Sequence, residues 1–210
     1  MLDWLKEGKV GDWSIESFEV SESDASMYNL SQMFEGYSRP VRAGKYTRLN
    51  HAKRGIVMSD TPAELSDLMM YKISLAEMVR NKPECYVHIS GLGLGITAYW
   101  ALELGCNVEV VELDPDVIEL VGSQLKSKFN GKLNIIQADA LEWKPPKGQQ
   151  YHIAWHDIWD DLNTDNLIEH TLLIRRFSRR TVWQGAWVHD WLIRQRREER
   201  RQEKEMEWFR

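Results

Sequence analysis

The sequence has little cysteine and no long apolar run, and both absences narrow the class of protein. Two cysteines among 210 residues, Cys85 and Cys106, exclude the disulfide framework on which small secreted proteins depend. We expect no N-terminal secretion signal, and the sequence has no stretch of about twenty apolar residues that could span a bilayer. We therefore expect a soluble protein of the reducing cytoplasm that makes no membrane contact.

The sequence also lacks a large excess of charge of either sign. The chain carries 27 Lys and Arg against 32 Asp and Glu, a net charge of −5, which gives no general attraction to nucleic acid. Hydrophobic residues make up 43% of the sequence, so the 210 residues suit one α/β domain with a small appendage. Ten tryptophans are many for this length, and we expect one or two of them to line a substrate pocket.

The stretch from Cys85 to Asp114 predicts a strand, a glycine-rich turn, a helix and a second strand. Its turn has glycines at alternate positions, Gly91, Gly93 and Gly95, which allow positive φ angles and close approach of a ligand. The second strand ends at Glu112. Ligands of such a strand–helix–strand unit bind at the carboxyl ends of the strands, so we expect the glycines and Glu112 to line one crevice.

The spacing of these glycines excludes two common nucleotide-binding loops. A dinucleotide fingerprint requires glycine where Ile96 stands, and a phosphate loop requires a Lys and a hydroxyl that are absent. The pattern hydrophobic-x-x-G-x-G-x-G, with an acid seventeen residues after the last glycine, resembles the S-adenosylmethionine loop of class I methyltransferases. The alternative is a tight turn whose small residues serve only helix–strand packing.

This resemblance implies that S-adenosylmethionine is the cofactor and that no metal is needed. The glycine turn would hold the methionine part, and Glu112 would hold the ribose hydroxyls. Asp139, beside Ala140 after the third predicted strand, would meet the adenine amino group. For Asp139 the alternative is a helix cap or turn residue.

The fourth predicted strand, Tyr151 to Trp155, ends before His156 and Asp157. Its carboxyl end faces the same crevice, so Asp157 is the candidate catalytic residue, which would orient or deprotonate an amine. His156 points to the other side of the strand by alternation, and we expect it to pack against a helix. Trp159 and Asp160 are candidate substrate-binding residues.

Three segments are expected along the chain: an N-terminal α+β unit with a β-hairpin (1–60), a Rossmann-like domain (61–188) and a charged C-terminal helix (189–210). Thr61, Pro62 and Glu64 predict a capping box at the start of a helix that runs to about Asn81. A hairpin followed by this helix and the glycine strand resembles the spermidine-synthase-like branch of the superfamily. The predicted fold class is α/β, with a mostly parallel Rossmann-like sheet flanked by helices. A full class I sheet has two further strands, for which we find no sequence.

The resemblance implies methyl transfer but does not identify the acceptor. A small, amine-bearing acceptor is expected from the carboxylates near the site, which are Asp157, Asp160 and Asp161 together with Asp60 and Glu64. Enzymes that methylate the amino groups of nucleic acid bases carry Asp/Asn-Pro-Pro-aromatic after the fourth strand, a motif that is absent here. The first alternative is aminopropyl transfer, as in spermidine synthases, although Leu94 replaces the Asp of their G-G-G-D-G loop. The second is a protein that binds S-adenosylmethionine without chemistry and assembles through its C-terminal helix. A homo-oligomer is compatible with each of these.

A basic cluster lies at the end of a helix predicted from Asp165 to Ser178. Its members are Arg175, Arg176, Arg179 and Arg180. One interpretation is a solvated face whose charge suits a helix C-terminus, and the other is a contact with an anion or nucleic acid.

Overall fold

The computed structural model describes residues 2–34, 39–129, 131–161 and 163–208. Within these ranges the strands are β1 (Gly8–Val10), β2 (Trp13–Val20), β3 (Gly44–His51), β4 (Gly55–Ser59), β5 (Tyr86–Ser90), β6 (Asn107–Glu112), β7 (Leu133–Gln137), β8 (Tyr151–His156) and β9 (Thr181–Ala186). The α-helices are α1 (Glu22–Phe34), α2 (Pro62–Asp67), α3 (Met69–Asn81), α4 (Ile96–Glu103), α5 (Pro115–Val117), α6 (Ser123–Lys128), α7 (Leu167–Phe177) and α8 (His189–Trp208). A π-helical segment (Ile118–Gly122) joins α5 to α6, and a 3-10 turn (Thr164–Asn166) precedes α7.

The larger sheet is parallel throughout, with the strand order β7-β6-β5-β8-β9. The order reverses at β5, because β6 and β7 extend to one side of it and β8 and β9 to the other. Side chains on both faces of the central strands are buried: Val87, Ile89 and Ile153 lie on one face, and His88 and Ala154 lie on the other. Such burial is typical of a sheet covered by helices on both faces. The predicted α/β fold with a parallel, helix-flanked sheet is confirmed.

The four N-terminal strands form a second, antiparallel sheet in sequential order. The alternation in β2 places Trp13 and Ile15 on its buried face, and Ile15 pairs with the buried Leu49 of β3. These side chains belong to the same core cluster as β5 and β6. The predicted β3–β4 hairpin is therefore part of a larger sheet that packs against the parallel one. The segment boundaries at residues 60 and 188 stay a prediction.

The helix predicted from Thr61 to Asn81 is interrupted at the buried Leu68, which separates α2 from α3. The predicted capping box is wrong, because the Thr61 side chain makes no capping hydrogen bond. Glu64 instead accepts hydrogen bonds from the amide of Ser59 at 2.6 Å and from its hydroxyl at 2.9 Å. The end of β4 thus holds Glu64 in place.

The helical run after β6 begins as its sequence predicts. Asp114 accepts a hydrogen bond from the Asp116 amide at 2.9 Å, and Pro115 occupies the first helical position. The π-helical segment then widens the helix. A Cβ at Gly122, which ends this segment, would lie 2.7 Å from Ile135 of β7, so the helix and the strand pack closely there.

A chain of polar side chains lies buried between the sheet and α7. Glu109 contacts His88 at 3.1 Å, His88 contacts Ser90 at 3.2 Å, and Ser90 contacts His156 at 2.9 Å. Burial lowers the pKa of both histidines, which keeps them neutral near pH 7. The His156 ring also packs against Phe177 of α7, with ring centres 5.0 Å apart. His156 therefore lies on the helix side of the strand, as alternation predicts.

The last described helix, α8, covers most of the charged segment predicted at 189–210, while residues 209 and 210 lie outside the described ranges. Among the described helices, none combines the length and the apolarity that crossing a bilayer requires.

Gly95 joins the turn after β5 to α4, and its replacement tests how tightly this helix packs. Its φ is +72°, and an added Cβ would lie 2.8 Å from Leu125 and 3.1 Å from Val121. We expect Gly95→Ala to lower the free energy of unfolding by about 2–4 kcal/mol, because left-handed strain and overpacking add together. Urea denaturation measures this change.

Gly148→Ala is the matched control, since Gly148 has a φ of +84° but no atom near the added Cβ. It should cost about 1–2 kcal/mol from strain alone. Equal losses in the two variants would contradict tight packing around Gly95.

Candidate functional site

The register of the parallel sheet brings three loops together. The last residue of β5 pairs with β6 on one side and with β8 on the other at the same level. The residues that follow therefore lie side by side at this edge: Gly91 and Asp157 begin their loops, and Glu112 is the last residue of β6. This edge is also the point at which the strand order reverses, where α/β sheets bind their ligands.

A cavity of about 360 Å³ lies at this edge. Its volume falls within the range of roughly 300–1,000 Å³ that is usual for small-molecule sites. The residues predicted for the site that line it are Gly91, Gly93, Glu112, Asp139, Ala140, Asp157, Trp159 and Asp160. Gly95, the remaining predicted residue, faces Leu125 and Val121 and serves helix packing in this structure.

The glycine turn is closely packed by its neighbours. Gly91 has a φ of +90°, and an added Cβ would lie 2.0 Å from the carbonyl oxygen of Asp157. Gly93 has a φ of +49°, and its added Cβ would lie 2.8 Å from the sulfur of Met58. The same sulfur accepts the amide of Leu94 at 3.4 Å. Backbone conformation therefore favours glycine at both positions, and the Asp157 carbonyl also leaves no space for a side chain at 91.

The carboxylate of Glu112 bridges two loops. One oxygen accepts the amide of Leu92, in the glycine turn, at 2.7 Å, and the other accepts the amide of Asp114 at 2.8 Å. Burial raises the pKa of Glu112, although these hydrogen bonds oppose the shift. Each carboxylate oxygen can accept a second hydrogen bond, so Glu112 can also accept from hydroxyl groups in the cavity.

Asp139 begins a tight turn directly after β7. One of its carboxylate oxygens accepts the amide of Leu141 at 2.7 Å, and its backbone carbonyl accepts the amide of Trp143 at 2.8 Å. Asp139 is therefore a turn residue that also lines the cavity, and its contact with an adenine amino group stays a prediction. Ala140 and Leu141 line the cavity beside it.

Asp157 follows β8, on the other side of β5 from Glu112 and Asp139, and lies near other carboxylates. Burial raises its pKa to about 7, and the nearby charges of Glu64 and Asp67 add to the shift. Burial also raises the pKa of Glu64, against the hydrogen bonds from Ser59. A carboxylate with this pKa changes its protonation state near neutral pH, which suits proton transfer.

Trp159 and Asp160 are positioned by contacts outside the parallel sheet. The Trp159 indole donates a hydrogen bond to Glu169 at 2.6 Å and stacks on His170, with ring centres 3.7 Å apart. Asp160 forms an exposed ion pair with Arg54 of the β3–β4 turn at 2.8 Å. The cavity mouth is thus bordered by both sheets.

Several residues of the cavity wall were not predicted from the sequence. The N-terminal sheet and its connection contribute Trp13, Leu49, Arg54, Val57, Met58 and Leu68, and the end of β9 contributes Trp187. Only the abundance of tryptophan pointed towards such a wall. Asp60 and Asp161 are not lining residues: Asp60 accepts the amide of Thr47, and Asp161 accepts the side chain of Asn166. In the described part of the chain, no group of three or more His, Cys, Asp or Glu could hold a metal ion.

The raised pKa of Asp157 predicts that this residue destabilises the folded protein at alkaline pH. A carboxyl group whose pKa is raised on folding binds its proton more tightly in the folded state, so the free energy of unfolding falls as pH rises from 3.8, the ordinary pKa, to about 7. We expect Asp157→Asn to be more stable than the wild type at pH 8.5, by roughly 1–3 kcal/mol, and to lose most of that advantage at pH 5.

Urea denaturation at the two pH values measures the difference. Asp161→Asn serves as the control, because Asp161 lies outside the cavity lining. A stability difference between Asp157→Asn and the wild type that does not change with pH would contradict the raised pKa.

Comparisons with known proteins give similarity to solved structures only. No family model matches the sequence, and no curated protein matches it.

A candidate RNA methyltransferase from Pyrococcus horikoshii is 17% identical, with a TM-score of 0.45 over 60% of this chain and 60% of that one. The CcbJ methyltransferase from Streptomyces caelestis is 13% identical, with a TM-score of 0.42 over 52% of this chain and 44% of its own. Coclaurine N-methyltransferase bound to N-methylheliamine and SAH is 17% identical, with a TM-score of 0.41 over 55% and 31%. The chain thus spans 60% or less of the length of these structures, and similarity at this level assigns neither an activity nor a ligand.

Proposed function

We propose that this protein transfers the methyl group of S-adenosylmethionine to the nitrogen of a small amine. The observation that carries the proposal is one cavity with two chemically different ends. Glu112 and Asp139 lie at the ends of β6 and β7 on one side of the glycine turn, and Asp157 follows β8 on the other side, near Glu64. A nucleoside fits the first set of groups, and a cation fits the second.

The cofactor end offers acceptors where an adenosyl group has donors. Glu112 is held by two backbone amides and still has free lone pairs for the two hydroxyls of a ribose. Asp139 uses one oxygen for the Leu141 amide, which leaves the other for an exocyclic amino group. Gly91 and Gly93 line the cavity without side chains, so the methionine part can approach the backbone of this turn.

The acceptor end favours a positively charged or hydrogen-bond-donating group. Asp157 and Glu64 are both buried enough for their pKa values to be raised, so a cationic ligand would stabilise their charged forms. Trp159 and Trp187 form apolar walls beside these carboxylates. Aromatic faces attract ammonium groups, which adds to the selection for an amine.

The chain's residues then have defined tasks. When bound, S-adenosylmethionine supplies an electrophilic methyl group, and the electrons of the broken S–C bond remain on its sulfur. Asp157 accepts the proton that the amine nitrogen loses as the lone pair of that nitrogen bonds to the methyl carbon. The cavity walls align the two reactants, and alignment can lower the barrier by about 7–11 kcal/mol, more than a general base supplies.

Removal of the Glu112 carboxylate tests the cofactor part of the proposal. We expect Glu112→Ala to bind S-adenosylhomocysteine at least about tenfold more weakly, because hydrogen bonds to a charged group contribute roughly 1.5–3 kcal/mol each. Isothermal titration calorimetry measures the affinity, and thermal unfolding verifies that the variant is folded. The control is Glu142→Ala, since Glu142 is exposed outside the cavity. Unchanged affinity in folded Glu112→Ala would remove Glu112 from the proposed site.

Replacement of Asp157 tests the catalytic part. Incubation with labelled S-adenosylmethionine and a pool of polyamines, amino acids and tRNA identifies the acceptor class. With the acceptor found, we expect Asp157→Asn to bind the cofactor normally but to lose at least about 100-fold in turnover, the usual contribution of a general base. Wild-type activity should rise with pH through about 7, as Asp157 loses its proton.

Three outcomes would count against this part of the proposal. Full turnover by Asp157→Asn would exclude its role as the base. Cofactor binding without any labelled product would favour a non-catalytic binding protein. Label on tRNA alone would contradict a small-molecule acceptor.

A further inference from the structure

The basic cluster at the end of α7 is divided between two different environments. Arg175 and Arg179 are exposed. Arg176 and Arg180 instead turn back towards the segment that connects β7 to β8. Half of the cluster is thus neither a solvated face nor an anion site, because its hydrogen-bond donors are directed at backbone carbonyls.

The contacts of Arg176 are concentrated on a single turn. One guanidinium nitrogen donates to the carbonyl oxygens of Ala140 at 2.7 Å and Trp143 at 2.6 Å, and another donates to that of Leu141 at 2.5 Å. Among the described residues, no carboxylate forms an ion pair with Arg176. Its planar donor group is therefore committed to the backbone of residues 140–143.

Asp139 accepts hydrogen bonds from the backbone amides of the same turn. Its side chain accepts the amide of Leu141, and its carbonyl accepts the amides of Glu142 at 3.1 Å and Trp143 at 2.8 Å. The amides of Leu141, Glu142 and Trp143 are thus bonded to Asp139. The carbonyls of Ala140, Leu141 and Trp143 are bonded to Arg176. Two charged side chains fix one short segment from opposite sides.

That segment is the part of the cavity wall in which the proposed function places adenine. Asp139, Ala140 and Leu141 line the cavity, whereas Arg176 does not. Any effect of Arg176 on a ligand must therefore pass through the turn.

We infer that Arg176 is a positioning residue for recognition of the base, since it holds the Asp139–Trp143 turn at the distance at which Asp139 can accept a hydrogen bond from an exocyclic amino group. The inference rests on the proposed function and adds the residue that makes the site selective for an aminopurine. A lysine cannot replace Arg176, because one ammonium group cannot reach three divergent carbonyls in the fixed geometry of a guanidinium.

The test compares two ligands that differ only at the base. S-adenosylhomocysteine has the amino group, and S-inosylhomocysteine has a carbonyl in its place. Calorimetry on the full chain gives the ratio of the two affinities. We expect the wild type to prefer the adenosyl ligand at least about tenfold, as one hydrogen bond to a charged group contributes, and Arg176→Lys to reduce that preference several-fold.

Two matched arginines provide controls. Arg179→Lys alters an exposed residue of the same cluster. Arg180→Lys loosens another part of the same connection, since Arg180 donates to the carbonyls of Pro146 and Gln149. Both controls should keep the wild-type ratio. In the Asp139→Asn background, Arg176→Lys should change the ratio no further, because both residues act on one hydrogen bond.

The outcomes separate this inference from the proposed function. Failure of the wild type to bind S-adenosylhomocysteine would overturn the proposed function and this assignment with it. Wild-type binding with an unchanged ratio in Arg176→Lys, even at lower thermal stability, would overturn the positioning role alone. If Arg176→Lys does not fold, Arg176→Gln, which retains two donors, is measured in its place against the same criteria.

Discussion

The contact on which the site depends most is the pair of hydrogen bonds that Glu112 accepts. They join the glycine turn after β5 to the helical run after β6, at 2.7 Å and 2.8 Å, across the edge of the sheet. Parallel strands fix the distance between these loops only up to their last paired residues, so the path of the loops beyond the sheet needs a contact of its own. A charged acceptor provides a stronger one than a neutral group. Glu112 therefore holds these two loops of the cavity floor together.

The second property of the cavity is electrostatic: it holds several carboxylates that are shielded from water. Burial raises the pKa values of Glu112, Glu64 and Asp157 together. A protein selected only for stability would replace such groups, since each desolvated carboxylate reduces the free energy of unfolding at neutral pH. Their concentration around one cavity is typical of functional sites, where the cost is offset when a ligand binds. The proposed reactants, a sulfonium and an amine, both suit this field.

Short sequence patterns predicted the structural elements that are determined by residues close together in the chain. Glycine spacing and short β-rich runs identified the turn at residues 91–95 and the five parallel strands, and their order placed Glu112, Asp139 and Asp157 on one edge. The interruption at Leu68 and the direction of Arg176 could not be predicted in this way. Neither feature alters the spacing of hydrophobic residues along its helix. Both depend on contacts with segments that are distant in the sequence. The same holds for Met58, whose sulfur meets an amide 36 positions away.

The two sides of the cavity are held with very different strength, and this difference bears on ligand entry. On the floor, charged groups fix the loops through partly buried hydrogen bonds to backbone amides and carbonyls. At the mouth, the N-terminal sheet is linked to the loop after β8 by the ion pair of Arg54 and Asp160, whose side chains are 47% and 39% exposed. Exposed ion pairs contribute only about 0–1 kcal/mol. Breaking this link therefore costs little, whereas displacing the floor costs several hydrogen bonds to charged groups. For the proposed function, we therefore expect the ligand to enter on the side of Arg54, where the residues proposed to recognise it need not move.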